Sequence, residues 1–324
     1  MKSLFSILFL SATLLAQTKP ANPPAPECCP EPSIQNQQLL WEKLQSAVTE
    51  TDRQVDGVVG VAILDLTSGQ TLLLHPDDIL PQASSIKIAV LAELYHQSQQ
   101  SAEGVAGKAK LSDLYTVQQS DIVPGSDIME GLTPGVTRVT LRDLATMMIA
   151  VSDNSATNVL IDRLGMGNVN ALLNRLGLRA THLGRKMMDL KAASEGRENV
   201  ATPRAMMTLL QALYRGKVLN KEFTADYFKM LSTHKDSPIR HTVPEDVQSA
   251  DKPGELEAVR ADSGVVFVKN RPFVICVMTT FLRHEEEGQA AIRKIATAAY
   301  SYFDRVGRAS PYGRVVSPGD TSRP

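Results

Sequence analysis

Three short motifs contain residues of the kinds that move protons and acyl groups. The first is Ser84-Ser85-Ile86-Lys87, which leads into the apolar run Ile88 to Leu94. Residues three apart at the start of a helix share one face, so Ser84 and Lys87 are predicted to be neighbours. A buried lysine beside other cations can lose its proton and activate a hydroxyl. A helix N-terminus also offers N–H groups to a developing oxyanion. This motif therefore indicates nucleophilic serine chemistry.

The first motif has two plainer interpretations. The same Ser-x-x-Lys pattern occurs at Ser232-Thr233-His234-Lys235, so at least one of the two matches is expected to arise by chance. Ser84 could also be a helix N-cap, a position where serine is common. The first motif alone therefore does not establish a site.

Two further motifs follow in the chain. Ser152-Asp153-Asn154 lies at a predicted break between helices, where side chains can enter a cleft, and Lys252-Pro253-Gly254 precedes the predicted C-terminal strands. Ser-x-x-Lys, Ser-Asp-Asn and Lys-Thr-Gly together are the signature of serine enzymes that react with β-lactams. The three motifs in this order favour a common site.

Other chemistries have little support in the sequence. There is no Gly-x-Ser-x-Gly nucleophile elbow, no phosphate-binding glycine loop and no dinucleotide fingerprint. The six histidines lack metal-ligand spacing, so we expect neither a metal nor another cofactor. With 34 Lys+Arg against 35 Asp+Glu and no basic block, nucleic acid is not an expected partner. We expect a monomer acting on a small molecule, without membrane contact beyond export.

Hydrophobic periodicity predicts the elements that position these motifs. A helix is expected over residues 37–53, a β-hairpin over 58–66 and 71–75, further strands over 264–268 and 273–279, and a last helix carrying Ile292 to Phe303. Helices are predicted between these two groups. The fold class is therefore α/β, with a sheet and flanking helices built from both chain ends (37–80 and 245–306) and an all-helical lobe (81–244). A site is expected in the cleft between the lobes.

Both ends of the chain are predicted to lie outside the fold. Residues 1–16 resemble a cleavable secretory signal, residues 17–36 form a proline-rich linker, and residues 307–324 form a loose tail. The mature protein is thus expected in the periplasm or outside the cell. Cys28 and Cys29 lie in the linker, and lipid attachment at Cys28 is not expected. Cys276 lies in an apolar run typical of a buried thiol.

On these motifs, residues 37–306 resemble a class A β-lactamase, whose sheet is antiparallel. The resemblance includes Val123-Pro124-Gly125-Ser126, Thr140 to Ala145 and Thr202-Pro203. It implies that Ser84 is the acylated nucleophile, Lys87 its proton-handling partner, and Ser152 the proton donor to the leaving nitrogen. Asn154 would hold the substrate's side-chain amide and Lys87, and Lys252 would pair with the substrate carboxylate. The backbone N–H groups of Ser84 and Glu255 would form the oxyanion hole, and Gly254 is expected among the substrate-binding residues.

The chain departs from this family at two places. Pro253 replaces a hydroxyl residue, a loss of about 1 to 3 kcal/mol if nothing replaces its hydrogen bond, and Ser263 is a candidate substitute. In the omega loop, residues 185–197, Met187 stands where the family has the glutamate that activates the deacylating water. Asp189 is then the predicted base and Glu195 an alternative. Arg185 and Glu198 are predicted to pair across the base of the loop.

These departures leave more than one function open. A β-lactamase that forms acyl-Ser84 and then hydrolyses it is the main prediction. A penicillin-binding D,D-peptidase or esterase would acylate in the same way but deacylate slowly. A catalytically impaired domain that binds lactams or cell-wall fragments is the third interpretation.

Overall fold

The computed structural model describes residues 34–310 and 312–315. The predicted signal, both linker cysteines and most of the tail lie outside these residues. The helices are α1 (Ile34–Gln54), α2 (Lys87–Ala102), α3 (Leu141–Ala150), α4 (Asn154–Leu164), α5 (Met166–Arg175), α6 (Leu190–Ser194), α7 (Pro203–Tyr214), α8 (Lys221–Leu231) and α9 (Glu285–Arg308). The strands are β1 (Val58–Asp65), β2 (Thr71–Leu74), β3 (Leu80–Pro81), β4 (Leu114–Thr116), β5 (Arg138–Thr140), β6 (Val200–Ala201), β7 (Ser249–Leu256), β8 (Val259–Val266) and β9 (Phe273–Thr280).

The main sheet combines strands from both ends of the described chain. Its order is β2-β1-β9-β8-β7, and every neighbouring pair is antiparallel. All eight residues of β9 are buried, as expected for a central strand covered on both faces. The predicted α/β fold with an antiparallel sheet layer is confirmed.

Two hydrophobic cores cover the two faces of the sheet. On one face, α1 and α9 pack together and contribute Trp41 and Phe303, the latter stacked on Phe273 of β9 with ring centroids 4.2 Å apart. On the other face, α7 packs on β1 and β9, and α2 is the buried centre of the helical lobe. Among the described residues, no helix has the length and apolar character needed to cross a bilayer.

Local capping signals were reliable guides to the helices. Thr140 caps α3, and its hydroxyl and backbone N–H form the predicted capping box with Asp143. Thr202 caps α7, where Pro203 occupies the first turn. Gly165 ends α4 with a φ of 83°, a conformation that favours glycine. The second motif lies at another boundary, where Asp153 caps α4 by accepting a hydrogen bond from Ala156 N.

Several predicted boundaries were wrong. The sequence placed Lys252-Pro253-Gly254 before the strands, but these residues lie within β7, and β8 begins at Val259 rather than Gly264. Proline and glycine are uncommon in strands, which hid β7, but an edge strand such as β7 tolerates proline. The last helix continues to Arg308, so the first residues of the predicted tail are helical.

Candidate active site

Ser84 lies in a 3₁₀ turn, Ala83–Ile86, that leads directly into α2. The N-cap of α2 is Ile86, so Ser84 is not its cap. Ala83 has a φ of 49°, a left-handed conformation that is costly for a residue with a side chain and that often occurs at functional sites. Gln82 holds the turn in place, because its side-chain amide donates to Val200 O at 2.8 Å. The turn presents Ser84, half-buried, at the cleft between the lobes.

The second motif is held by its central aspartate. Asp153 is fully buried, and its carboxylate accepts hydrogen bonds from the backbone N–H groups of Ile128, Met129 and Ala156. These bonds tie the start of α4 to the segment between β4 and β5. Ser152, with a φ of 58°, therefore projects from a fixed corner between α3 and α4.

The third motif brings an edge of the sheet against the serine turn. A Cβ atom at Gly254 would lie 2.4 Å from Gln82 O and 3.0 Å from Ser84 N, so only glycine permits this approach. The Ser85 hydroxyl donates to Lys252 O at 2.9 Å and fixes the register of the two segments. Gly254 and Glu255 therefore lie beside Ser84, as predicted.

Ser152 lies between two buried lysines. Its Oγ is 3.0 Å from Lys87 Nζ and 3.1 Å from Lys252 Nζ. Lys87 also donates to Ser152 O at 2.6 Å and to Asn154 Oδ1 at 3.0 Å. An amine has two N–H groups and one lone pair, which match these two carbonyl oxygens and the hydroxyl. The same three partners therefore suit Lys87 as an ammonium and as an amine. A group that exchanges a proton with a hydroxyl needs partners for both forms.

The lysine pair has strongly shifted proton affinities. Burial, with the charge of Lys252 adding to it, holds the pKa of Lys87 well below its usual value, although Asp153 opposes this shift. Burial, followed by the charge of Lys235, lowers the pKa of Lys252 to about 8. A lysine that is easily deprotonated can act as a general base near neutral pH, so Lys87 has the property that the proposed chemistry needs.

Ser152, Asn154 and Lys252 line one cavity of about 370 Å³ together with Ser84, and Lys87 is joined to this cavity through its hydrogen bond to Ser152. Its lining includes residues of all three motifs together with side chains of both lobes: Ser84, Gly125, Asp127, Ala150, Val151, Ser152, Asn154, Lys235, Asp236, Lys252, Pro253 and Glu255. The structure thus brings together every predicted site residue of the three motifs. Among the described residues there is no group of three His, Cys, Asp or Glu side chains that could hold a metal ion.

The base of the omega loop is held by the predicted ion pair, which we call its frame. Arg185 forms a two-pronged ion pair with Glu198, with both N···O distances at 3.0 Å, which confirms the pairing expected from the sequence. Asn158 fixes Met187 by accepting from its N–H at 2.8 Å and donating to its carbonyl at 3.1 Å. The Met187 side chain is buried in the core of the helical lobe.

The structure does not bring the predicted base to the serine. Asp189 is the N-cap of α6, where its Oδ1 accepts from Ala192 N at 2.9 Å, and it lines a different cavity with Asn158 and Met187. Exposed Glu195 pairs with Arg197 on the loop surface. Because the Asp189 carboxylate caps α6, it is already engaged in a hydrogen bond, and this bond holds it at the start of α6 and away from Ser84.

The predicted substitute for the missing hydroxyl is also out of reach. Ser263 pairs with Lys252 across the β7–β8 ladder but is fully buried, so its hydroxyl does not face the cavity. Lys235 is one of the cavity residues that the sequence did not single out as functional, because it was seen only within the second Ser-x-x-Lys match. Its buried position in the loop after α8 was not visible in that pattern.

Comparisons with known proteins agree with this geometry. Residues 40–303 match the beta-lactamase enzyme family. The chain is 28% identical over 263 residues to beta-lactamase SME-1 of Serratia marcescens, covering 78% of this chain and 85% of that protein. The beta-lactamase structure from Sphaerobacter thermophilus superposes with a TM-score of 0.71 at 30% identity, covering 81% of this chain and 97% of that one. An ancestral class A beta-lactamase superposes with a TM-score of 0.73 at 26% identity, covering 80% and 100%.

The chain therefore belongs to the beta-lactamase enzyme family, and its relatives are of class A. The family resemblance that the three motifs indicated is confirmed.

Proposed function

We propose that the protein is a serine hydrolase that opens the β-lactam amide by acylation of Ser84 and then hydrolyses the acyl-enzyme. The observation that carries this proposal is the position of Ser152 Oγ, within 3.1 Å of two lysine Nζ atoms and in the cavity that contains Ser84. A domain that only binds lactams has no need for two buried lysines joined through a hydroxyl.

Acylation uses this cluster as a proton path. Ser84 Oγ attacks the lactam carbonyl carbon and its proton passes to the Lys87 amine, while the backbone N–H groups of Ser84 and Glu255 stabilise the oxyanion. The amide C–N bond then breaks, Ser152 protonates the leaving nitrogen, and Lys87 returns a proton to Ser152. Both lysines can donate to Ser152 Oγ, which leaves its O–H free to point to the substrate.

The substrate is held by residues of two motifs. Asn154 is oriented by accepting from Lys87 and by donating to Pro124 O at 3.1 Å, which leaves its second amide N–H for a substrate carbonyl. Lys252 has two of its three N–H groups on Ser152 and on Pro253 O, so the third is available to a carboxylate.

A second candidate function is favoured by Met187. Hydrolysis of the ester needs a base for water. Met187 supplies none, and Asp189 caps α6. A serine enzyme without such a base accumulates its acyl-enzyme, as a penicillin-binding D,D-peptidase or esterase does. We propose this slow-deacylating enzyme as the alternative, with residues 1–16 directing either protein out of the cytoplasm.

One experiment separates these functions. Purified protein is mixed with a chromogenic cephalosporin, and hydrolysis and intact mass are followed in parallel. Continuous turnover that is lost in Ser84→Ala supports the hydrolase. A one-to-one adduct that persists after the substrate is consumed supports the slow-deacylating enzyme. Absence of both adduct and turnover contradicts both enzyme proposals and leaves a binding domain.

A further inference from the structure

Glu255 is a carboxylate in the catalytic cavity whose side chain has no part in the proposed mechanism. It lies on β7, two residues after Pro253, and side chains two apart on a strand point to the same face. Gly254, between them, faces the serine turn, where a Cβ atom would lie 2.4 Å from Gln82 O. Pro253 and Glu255 therefore share the other face of the strand, and both line the cavity that contains Ser84.

The charge of Glu255 is not neutralised by a neighbouring cation. The residue is exposed, and its carboxylate is approached by the uncharged Gln289, whose Nε2 lies 3.5 Å from Oε1. Arg260, its partner across the β7–β8 ladder, donates to backbone carbonyls and pairs with Glu285 instead. Among the described residues, none forms an ion pair with Glu255. The wall of the cavity thus carries an uncompensated negative charge at this position.

This charge acts on the group that would bind an anionic substrate. Lys252 lies three residues before Glu255 on the same strand and has one N–H group left for a carboxylate. Burial and the charge of Lys235 lower the pKa of Lys252, and the charge of Glu255 opposes this shift, so Glu255 and Lys252 interact electrostatically. Pro253 offers an anion neither a hydroxyl nor a backbone N–H. A substrate carboxylate on Lys252 would therefore meet a second negative charge and no further side-chain donor on this face of β7.

On the basis of the proposed function, we infer that Glu255 is a specificity-determining residue that selects substrates by the charge they carry beside the leaving nitrogen. Its carboxylate repels a carboxylate at that position and attracts an ammonium group. Lys252 favours a carboxylate there and Glu255 opposes it. Lactams in which that carboxylate is esterified with a neutral or a cationic group are thus substrates as well.

The test compares acylation at pH 7 by three compounds that differ in charge at this one position. Benzylpenicillin carries a negative charge there, its methyl ester none, and its diethylaminoethyl ester a positive charge. Glu255→Gln keeps the size of the side chain and the backbone N–H but removes the charge. In this variant, the second-order rate of acylation by benzylpenicillin should rise roughly 5- to 10-fold, the size of an interaction between exposed charges about 4 Å apart. The rate with the methyl ester should stay constant, and the rate with the diethylaminoethyl ester should fall by a similar factor.

Two further measurements separate an effect of charge from an effect on the fold. Glu257→Gln, which changes an exposed glutamate outside the cavity, is the matched control and should resemble the wild type with all three compounds. Added sodium chloride should narrow the difference between Glu255→Gln and the wild type for the two charged compounds, because salt screens exposed charges.

The direction of each change decides between the outcomes. If Glu255→Gln alters all three rates by the same factor, Glu255 acts on the oxyanion hole or the fold and the inference is wrong. Unchanged rates with benzylpenicillin and with the diethylaminoethyl ester also overturn it. If the wild-type protein is acylated by none of the compounds, the proposed function itself fails, a result that is distinguishable because it does not depend on position 255.

Discussion

Two regions of the molecule, the acylating wall of the cavity and the omega loop, differ in how closely they follow the family. The acylating wall consists of the serine turn, the α3–α4 corner and β7, and it brings Ser84, Lys87, Ser152 and Lys252 together with the contacts that the proposed acylation requires. The omega loop keeps the Arg185–Glu198 ion pair but has Met187 where the family resemblance implies a glutamate. In the proposed mechanism, formation and breakdown of the acyl-enzyme thus depend on separate parts of the structure, and a chain can keep one part while changing the other.

The largest expected effect comes from placing a carboxylate at position 187, where the family resemblance implies a glutamate. In Met187→Glu, the Asn158 hydrogen bonds to the backbone of residue 187 stay in place, and the charged side chain, which is costly to bury where Met187 packs, is expected to turn out of the core toward the acyl-enzyme. We expect deacylation of a penicilloyl-enzyme to accelerate roughly 10²- to 10⁴-fold, the usual contribution of a general base. The rate is measured by intact mass after removal of free penicillin. Met187→Gln, similar in size but uncharged, is the control, and equal rates in the two variants would refute this account of the loop.

A smaller effect is expected from pH on the acylating wall. Lys252 is charged below its pKa of about 8 and neutral above it, and the charged form is the one that binds a carboxylate. Acylation by benzylpenicillin, measured as kcat/KM or as the second-order rate of adduct formation, should therefore fall about tenfold per pH unit above this value. The methyl ester of benzylpenicillin, in which the carboxylate is masked, serves as the control because its binding does not need the charge of Lys252. A constant rate with benzylpenicillin up to pH 10 would show that Lys252 does not bind the carboxylate.

The frame of the omega loop can be tested through stability. Arg185→Ala removes an ion pair whose arginine is 7% exposed and leaves Glu198 unpaired, so the free energy of unfolding should fall by about 2 kcal/mol. Hydrogen exchange should increase within residues 185–198, and urea denaturation gives the free energy. Arg197→Ala breaks an exposed pair with Glu195 in the same loop and should cost less than about 1 kcal/mol. Equal losses in the two variants would contradict the role assigned to Arg185.

The smallest effect is expected at the base predicted from the sequence. Asn is as good an N-cap as Asp, so Asp189→Asn should preserve α6 and leave the deacylation rate at the wild-type level. The same mass measurement as for Met187→Glu provides the rate. A clear loss of deacylation in Asp189→Asn would show that the loop moves and that Asp189 does activate water.

The acylating wall could be predicted from the sequence because each motif is short. Ser84 and Lys87 are fixed relative to each other by one helical turn, and the break before α4 follows from the Ser-Asp-Asn motif itself. The sheet was predictable from its apolar runs, except for β7, where Pro253 and Gly254 obscured the strand pattern.

The path of the omega loop could not be predicted in the same way. The path of residues 185–198 depends on long-range contacts, such as the Asn158 clamp and the packing of Met187 into the core, which no local pattern encodes. Asp189 was assigned from its distance along the chain alone, and its capping bond to Ala192 redirects it. Lys235 was hidden for the same reason, since its burial depends on the loop after α8 folding against the cavity.

The central claim is that Ser84 forms the acyl-enzyme. The most direct measurement is peptide mass mapping of protein quenched during reaction with benzylpenicillin. We predict one ring-opened penicillin on the peptide that contains Ser84 and none on Ser84→Ala protein. An adduct on another residue, or unchanged modification of Ser84→Ala protein, would contradict the claim.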